Sequence, residues 1–186
     1  MTAPYWLLQV AIIAIVVFWM VGAYNRLMGL RNGVASAWGQ VEPALARRGE
    51  AMAAVIGLVR EPMAEEAATL QALAEAQTRT QQAAEAVRAS RSRADIVGQW
   101  AAAETALASP ATRLRALLDL HAAQLRDSAA GAALPAARQA WDDADPRVAY
   151  ARQTYNAAVQ AYNDALRLWP TRVITAVFGF TPAGPA

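Results

Sequence analysis

The stretch 155-YNAAVQAYNDAL-166 repeats a Tyr-Asn pair at a spacing of seven residues: Tyr155-Asn156, then Tyr162-Asn163. Seven residues is close to two turns of an α-helix, so both tyrosines fall on one face. Val148 lies seven residues before Tyr155, and Trp169 seven after Tyr162, with Val159 and Leu166 between them. The result is a continuous apolar stripe on a helix predicted from about Ala136 to Trp169. Such a stripe must be buried against other helices. The tyrosines are then core-facing rings whose hydroxyls need partners. Asn156 and Asn163 sit at the edge of the stripe, where a half-buried amide fixes helix register through interhelical hydrogen bonds. A ligand site at the same amides is the lesser alternative to packing.

Working outward, the rest of the chain reads the same way. No run of alternating β-branched residues argues for a strand. Hydrophobic residues make up 56% of the 186, and much of that share is alanine, a strong helix former. The expected fold class is all-α: a single N-terminal transmembrane helix continuing into an antiparallel four-helix bundle of long helices. The basic side chains are all arginine, interleaved with acids at a net charge of +2. That is a solvated helical surface and not a nucleic-acid face. The absence of lysine points to a GC-rich bacterial coding bias. There is no cysteine, which excludes disulfides, thiolate metal sites and thiol nucleophiles. The lone histidine, His121, has no ligand-spaced companion. Trp141 to Asp145 are acidic but lack the glycine and downstream glutamate of a calcium loop. No catalytic, cofactor or metal site is expected.

Residues 5–23, YWLLQVAIIAIVVFWMVGA, contain no charge. Roughly 19 helical residues span about 28 Å, close to the hydrocarbon thickness of a bilayer. Tyr5 and Trp6 at one end, with Trp19 and Tyr24 at the other, form two aromatic belts. A cleaved signal peptide is the rival reading, but its basic start is missing from Met1 to Pro4. Arg26 and Arg31 follow the apolar run, which places the bulk domain in the cytoplasm and the N-terminus outside. Residues 1–4 are then a short tail, 5–23 the anchor, 24–169 the helical domain, and 170–186 an apolar segment and tail.

Within the domain, Pro43 and the run Arg47-Arg48-Gly49 read as the end of a first helix. A second starts near Glu50, with Pro62 as a kink or a break. The run Arg88 to Arg93 reads as a loop. Asp95 is a candidate cap for a third arm, which Ser109-Pro110 restarts. Counting directions, Arg88, Arg91 and Arg93 return to the bilayer surface, where anionic lipid attracts arginine. The segment 171-TRVITAVFGF-180 returns there too, with Val177, Phe178 and Phe180 as candidate lipid contacts or as a cap on the helices.

Two segments carry a family resemblance. The first is 24-YNRLMGLRNGVASAWGQVEPALARR-48, with Tyr24, Asn25, Arg31 and Trp38. The second is 147-RVAYARQTYNAAVQAYNDALRLWPTRVITAVFGFTP-182, with Arg152, Tyr155, Asn156, Tyr162 and Asn163. Order and spacing resemble the LemA family of bacterial membrane proteins, of which the chain is a divergent member. Residues 50–140 match only in helical character. The resemblance implies a four-helix antiparallel bundle on a single inner-membrane anchor and no known enzymatic activity. Relatives are linked to membrane-compartment formation and to quality control beside membrane peptidases. The expected role is a non-enzymatic scaffold at the bacterial inner membrane. Its partners are the lipid bilayer, further copies of itself and other membrane proteins, and no nucleic acid. Membrane shaping is the alternative, and an adaptor for a membrane protease the remote one.

Overall fold

The computed structural model describes residues 5–90, 92–168 and 171–186. Helix is the only regular structure among the described residues, which contain no β-strand. Helix α1 runs without a break from Tyr5 to Val59, 55 residues. The chain reverses through Arg60–Met63 and a single 3-10 turn at Ala64–Glu66. Helix α2 spans Ala67–Ser90 and α3 spans Ala94–Leu120. A short α4, Ala122–Arg126, leads through a loop to α5, Leu134–Arg167. Helix α6 covers Thr171–Phe178, and residues 179–186 form an irregular tail.

The chain passes straight through Arg47-Arg48-Gly49, where the residues themselves suggest a stop. The reason is tertiary. Arg48 is buried and pairs with Glu104 of α3, and Gly49 is buried with its carbonyl accepting the Gln77 side-chain amide. Gly49 therefore lies under α2, and Arg48 serves no helix dipole. The first reversal falls instead at Pro62, which the pattern reads as a kink or a break. Pro43, Pro110 and Pro146 all lie inside helices. Each forfeits one backbone hydrogen bond. Buried neighbours on both sides, Val41 and Ala44, Leu107 and Ala111, Ala144 and Val148, hold the helices through them. Arg93, not Asp95, is the N-cap residue of α3, and Asp95 lies in its first turn.

Buried residues fall into two clusters. One joins Leu27, Val34, Trp38 and Val41 of α1 to Val148, Tyr155, Val159 and Tyr162 of α5, with Val87, Val97 and Trp100 from α2 and α3. The other joins Met52, Val55 and Val59 to Leu70, Leu73, Leu107, Leu114 and Trp141. Low numbers on α1 thus meet high numbers on α5, so these helices pair antiparallel; α2 and α3 do the same.

The two pairs differ in length. From Tyr24 to Val59, α1 extends about 54 Å, and α5 about 51 Å, whereas α2 returns only about 36 Å. The turn between α2 and α3 therefore stops short of the level of Ala23. Arg88 reaches only Glu42 of α1, at 3.7 Å. Nineteen residues separate Glu42 from Ala23, about 28 Å along the helix, beyond the reach of an arginine side chain. Its place beside Glu42 thus differs from the direction count, which returns Arg88 to the level of the apolar run. Arg93 pairs with Asp95 at 2.9 Å. Arg91 and Trp169 lie outside the described residues. The region left open below the short pair is filled by α6 and the tail.

Candidate functional site

The Tyr-Asn repeat of α5 grips the tail. Tyr155 and Tyr162 are buried, and their hydroxyls donate to the carbonyls of Gly184 and Thr181, at 2.9 and 3.0 Å. The two asparagines do more. Asn163 donates from Nδ2 to the carbonyl of Ala183 (2.9 Å) and accepts on Oδ1 from the same residue's N–H (3.0 Å). Asn156 does both to Ala186, at 2.8 and 2.7 Å. Each carboxamide thus satisfies both backbone polar groups of one tail residue, as a neighbouring strand would. These bonds run to the tail, where the residues alone suggest another helix as partner.

The spacing explains the repeat. The tail 181-TPAGPA-186 is two triplets of the form x-Pro-Ala. Proline favours extended polyproline geometry, in which three residues advance about 9.3 Å and return to the same face. One heptad of α5 advances about 10.5 Å. So each Tyr-Asn pair meets one triplet: tyrosine takes the first carbonyl, and asparagine the alanine.

The turn between α2 and α3 closes the other side. Ser92 holds a left-handed backbone (φ 63°) and is buried. Its carbonyl accepts from the N–H of Gly184 at 3.1 Å, and Arg93 bridges Ala183 in antiparallel fashion. A Cβ on Gly184 would lie 2.5 Å from the Ala94 Cα, so only glycine fits. Burial raises the Tyr155 hydroxyl pKa above its ordinary value, opposed by the Ser92 hydroxyl. Tyr162 is raised by the same cause, opposed by the charge of Arg31.

Beneath the clamp, Trp38 packs edge-on against Trp100 (5.1 Å, 88°) and Tyr155 (5.2 Å, 72°). Arg152 lies over the Trp100 ring at 5.3 Å. Tyr24 packs against Phe178 and Phe180, at 5.1 and 5.8 Å. Phe180 is buried there and presents nothing to lipid, whereas Val177 and Phe178 are exposed. Asn25 is exposed and joins neither clamp pair. Tyr5, Trp6 and Trp19 are exposed along the apolar run. Arg31 lines an open groove of about 590 Å³ between α1, the turn after α2, and Pro182 of the tail. Ser92, which holds the tail from the far side, and Gly184, the tail residue it meets, carry no signal in the sequence beyond the strict x-Pro-Ala period.

A second cavity of about 420 Å³, midway along the helices, is lined by Arg48, Glu104, Arg115, Asp145 and Arg152. Arg48 binds both Glu104 carboxylate oxygens, and Arg115 pairs with Asp145 and Asp142. Among the described residues, no group of three His, Asp or Glu converges as a metal site would require.

The LemA family model matches residues 37–184, from just before Trp38 to the glycine held by Tyr155. The chain belongs to the LemA family. No curated protein matches it. In LemA terms the matched region starts beyond the apolar run and holds nearly the whole clamp, both donor helix and bound tail. The exposed first part of α1 lies outside it. That apolar helix is long enough to cross a membrane, and no residue of its apolar window is buried.

Proposed function

We propose that this LemA protein is a non-enzymatic, membrane-anchored scaffold of the bacterial inner membrane, acting by assembly with further copies and other membrane proteins. The long helices form an antiparallel four-helix bundle. The observation that carries the reading is the continuity of α1. Its exposed apolar start and its buried later turns belong to one unbroken helix. An anchor of residues 5–23 without a flexible linker holds each bundle at one height and tilt, so neighbouring bundles meet with the same faces. Arg26 and Arg31, directly after the apolar run, support a bundle on the cytoplasmic side. Crosslinking in native membranes tests the reading, with oligomer ladders expected. A single protomer mass both in membranes and in mild detergent sinks it.

A membrane-shaping role is the second reading, favoured by α6. Val177 and Phe178 are exposed on it, and Phe178 packs beside Tyr24, directly after the apolar run. An amphipathic helix there lies in the bilayer interface. A fragment lacking residues 1–23 then floats with anionic liposomes and loses that binding on Val177→Ser with Phe178→Ser. Unchanged flotation removes the reading.

A further inference from the structure

The open groove between α1, the turn after α2 and the tail is walled by cations. Arg31 of α1, Arg88 near the end of α2 and Arg93 at the start of α3 all line it, and among the described residues no acidic side chain does. The second cavity differs: two of its three arginines are neutralised within its own wall, Arg48 by Glu104 and Arg115 by Asp145.

Around the groove the charges are left over. Arg88 reaches Glu42 only at 3.7 Å, with 71% of its side chain exposed. Arg93 gives Nε and Nη2 to Asp95, which occupies one edge of its guanidinium. Arg31 forms no ion pair among the described residues. Tyr162 lines the same groove; burial raises its hydroxyl pKa and the charge of Arg31 opposes the rise, so that charge is felt at the wall. Exposed ion pairs are weak, and the groove keeps a positive potential that its surroundings do not cancel.

The rest of the wall is partly apolar. Met28, Trp38 and Pro182 line the same space, which at about 590 Å³ has the size of a small-molecule site. A bare inorganic ion is far smaller and gains nothing from Trp38 or Met28. A phosphate monoester on an apolar stem uses both features. Its three terminal oxygens accept from guanidinium forks arriving on three segments, one oxygen more than a carboxylate offers.

We propose that this groove binds a phosphate group carried on a partly apolar molecule, with Arg31, Arg88 and Arg93 as its anion-binding residues. The groove belongs to one chain, so the site does not depend on the assembly reading. Two sources share the chemistry. With residues 5–23 as an anchor, Arg31 stands eight residues beyond Ala23, about 12 Å along α1, within a side chain's length of the headgroup layer. One source is therefore an anionic lipid headgroup, and the other a soluble phosphorylated compound.

Hexyl phosphate is the probe, titrated by calorimetry into the full-length protein in neutral detergent. Saturable binding is expected, about tenfold or more tighter than that of inorganic phosphate, and weakened about tenfold or more by Arg31→Gln with Arg88→Gln. Arg60→Gln with Arg126→Gln, at the other end of the helices, should leave it unchanged. No saturable binding, or equal losses in the two pairs, overturns the site. Should the first pair fail to fold, arginine modification by phenylglyoxal decides in the unaltered chain. Protection of Arg31 and Arg88 by hexyl phosphate, with Arg126 still modified, supports the site; unchanged modification of all three refutes it. Nanodiscs then separate the sources. If phosphatidic acid in the discs blocks hexyl phosphate and the same charge of oleate does not, the occupant is a lipid headgroup. Equal binding in discs with and without phosphatidic acid makes it a soluble compound.

Discussion

The two halves of the helical domain are built differently. The half nearer the apolar run is aromatic and specific: Trp38, Trp100, Tyr155, Tyr162 and Phe180 share one cluster, and amides hold a tail within it. The far half is aliphatic, with Leu, Val and Met around a single tryptophan, Trp141. Its polar contacts are ion pairs at partly exposed positions, such as Arg138 with Asp119. The difference follows from what each half must satisfy. In the far half the buried cluster is drawn mainly from regular helices, α1, α2, α3 and α5, and any well-fitting apolar side chains serve. In the near half the α2–α3 pair is too short, and an irregular segment fills the space. Irregular backbone brings unpaired N–H and C=O groups inward, and these require polar side chains at fixed positions.

Matched truncations break the comparison hardest. Trp100→Ala removes a wholly buried ring touching Trp38, and we expect a loss of about 4–5 kcal/mol. Leu114→Ala in the far half should cost about 3 kcal/mol. Urea denaturation measures both; equal losses would mean that the halves do not differ in kind.

Arg48 marks the seam between the clusters. Its side chain and that of Glu104 are 10% and 8% exposed. Arg48→Ala leaves an unpaired buried carboxylate and should cost about 3–4 kcal/mol, while Arg48→Met with Glu104→Leu should return to wild-type stability or above. A double variant as unstable as the single would show that the pair does more than neutralise itself.

The clamp sharpens the contrast with a smaller effect. Asn156→Ala with Asn163→Ala should lower stability by about 2 kcal/mol. Amide exchange should speed up at Ala183 and Ala186 before it does so at Leu114. Uniform acceleration across both halves would contradict a local clamp.

Alkali gives the mildest test. Tyr155 and Tyr162 titrate above the ordinary tyrosine value of 10.0 in the folded chain. Above that value the unfolded chain releases protons that the folded one retains, so stability declines as pH rises. The contribution is fully present below pH 10.0 and disappears as pH passes the raised folded values. Both tyrosines belong to the near half, so Trp100 fluorescence should report loosening at lower pH than Trp141 does. Simultaneous changes, followed in single-tryptophan variants, would count against separate halves.

Local chemistry was enough to determine much of this protein. The all-helical class follows from alanine-rich composition and the lack of β-patterned runs. The apolar run and its aromatic ends are visible by length alone, and the buried face of α5 by its period of seven. The motifs around Trp38 and Tyr155 carry the family. Tertiary structure decided the remainder, because the deciding energies act between residues far apart. Proline and glycine signals are worth about 1–3 kcal/mol. Burial of Val41, Leu45 and Met52 together with the Arg48–Glu104 pair outweighs them, so the chain turns at Pro62 and not at Gly49. The length mismatch between helix pairs, which sets Arg88 beside Glu42, emerges only once that turn is placed. The partner of each Tyr-Asn pair lies 19 to 30 residues downstream. No periodicity within α5 names it; only folding brings a three-residue repeat alongside a seven-residue one.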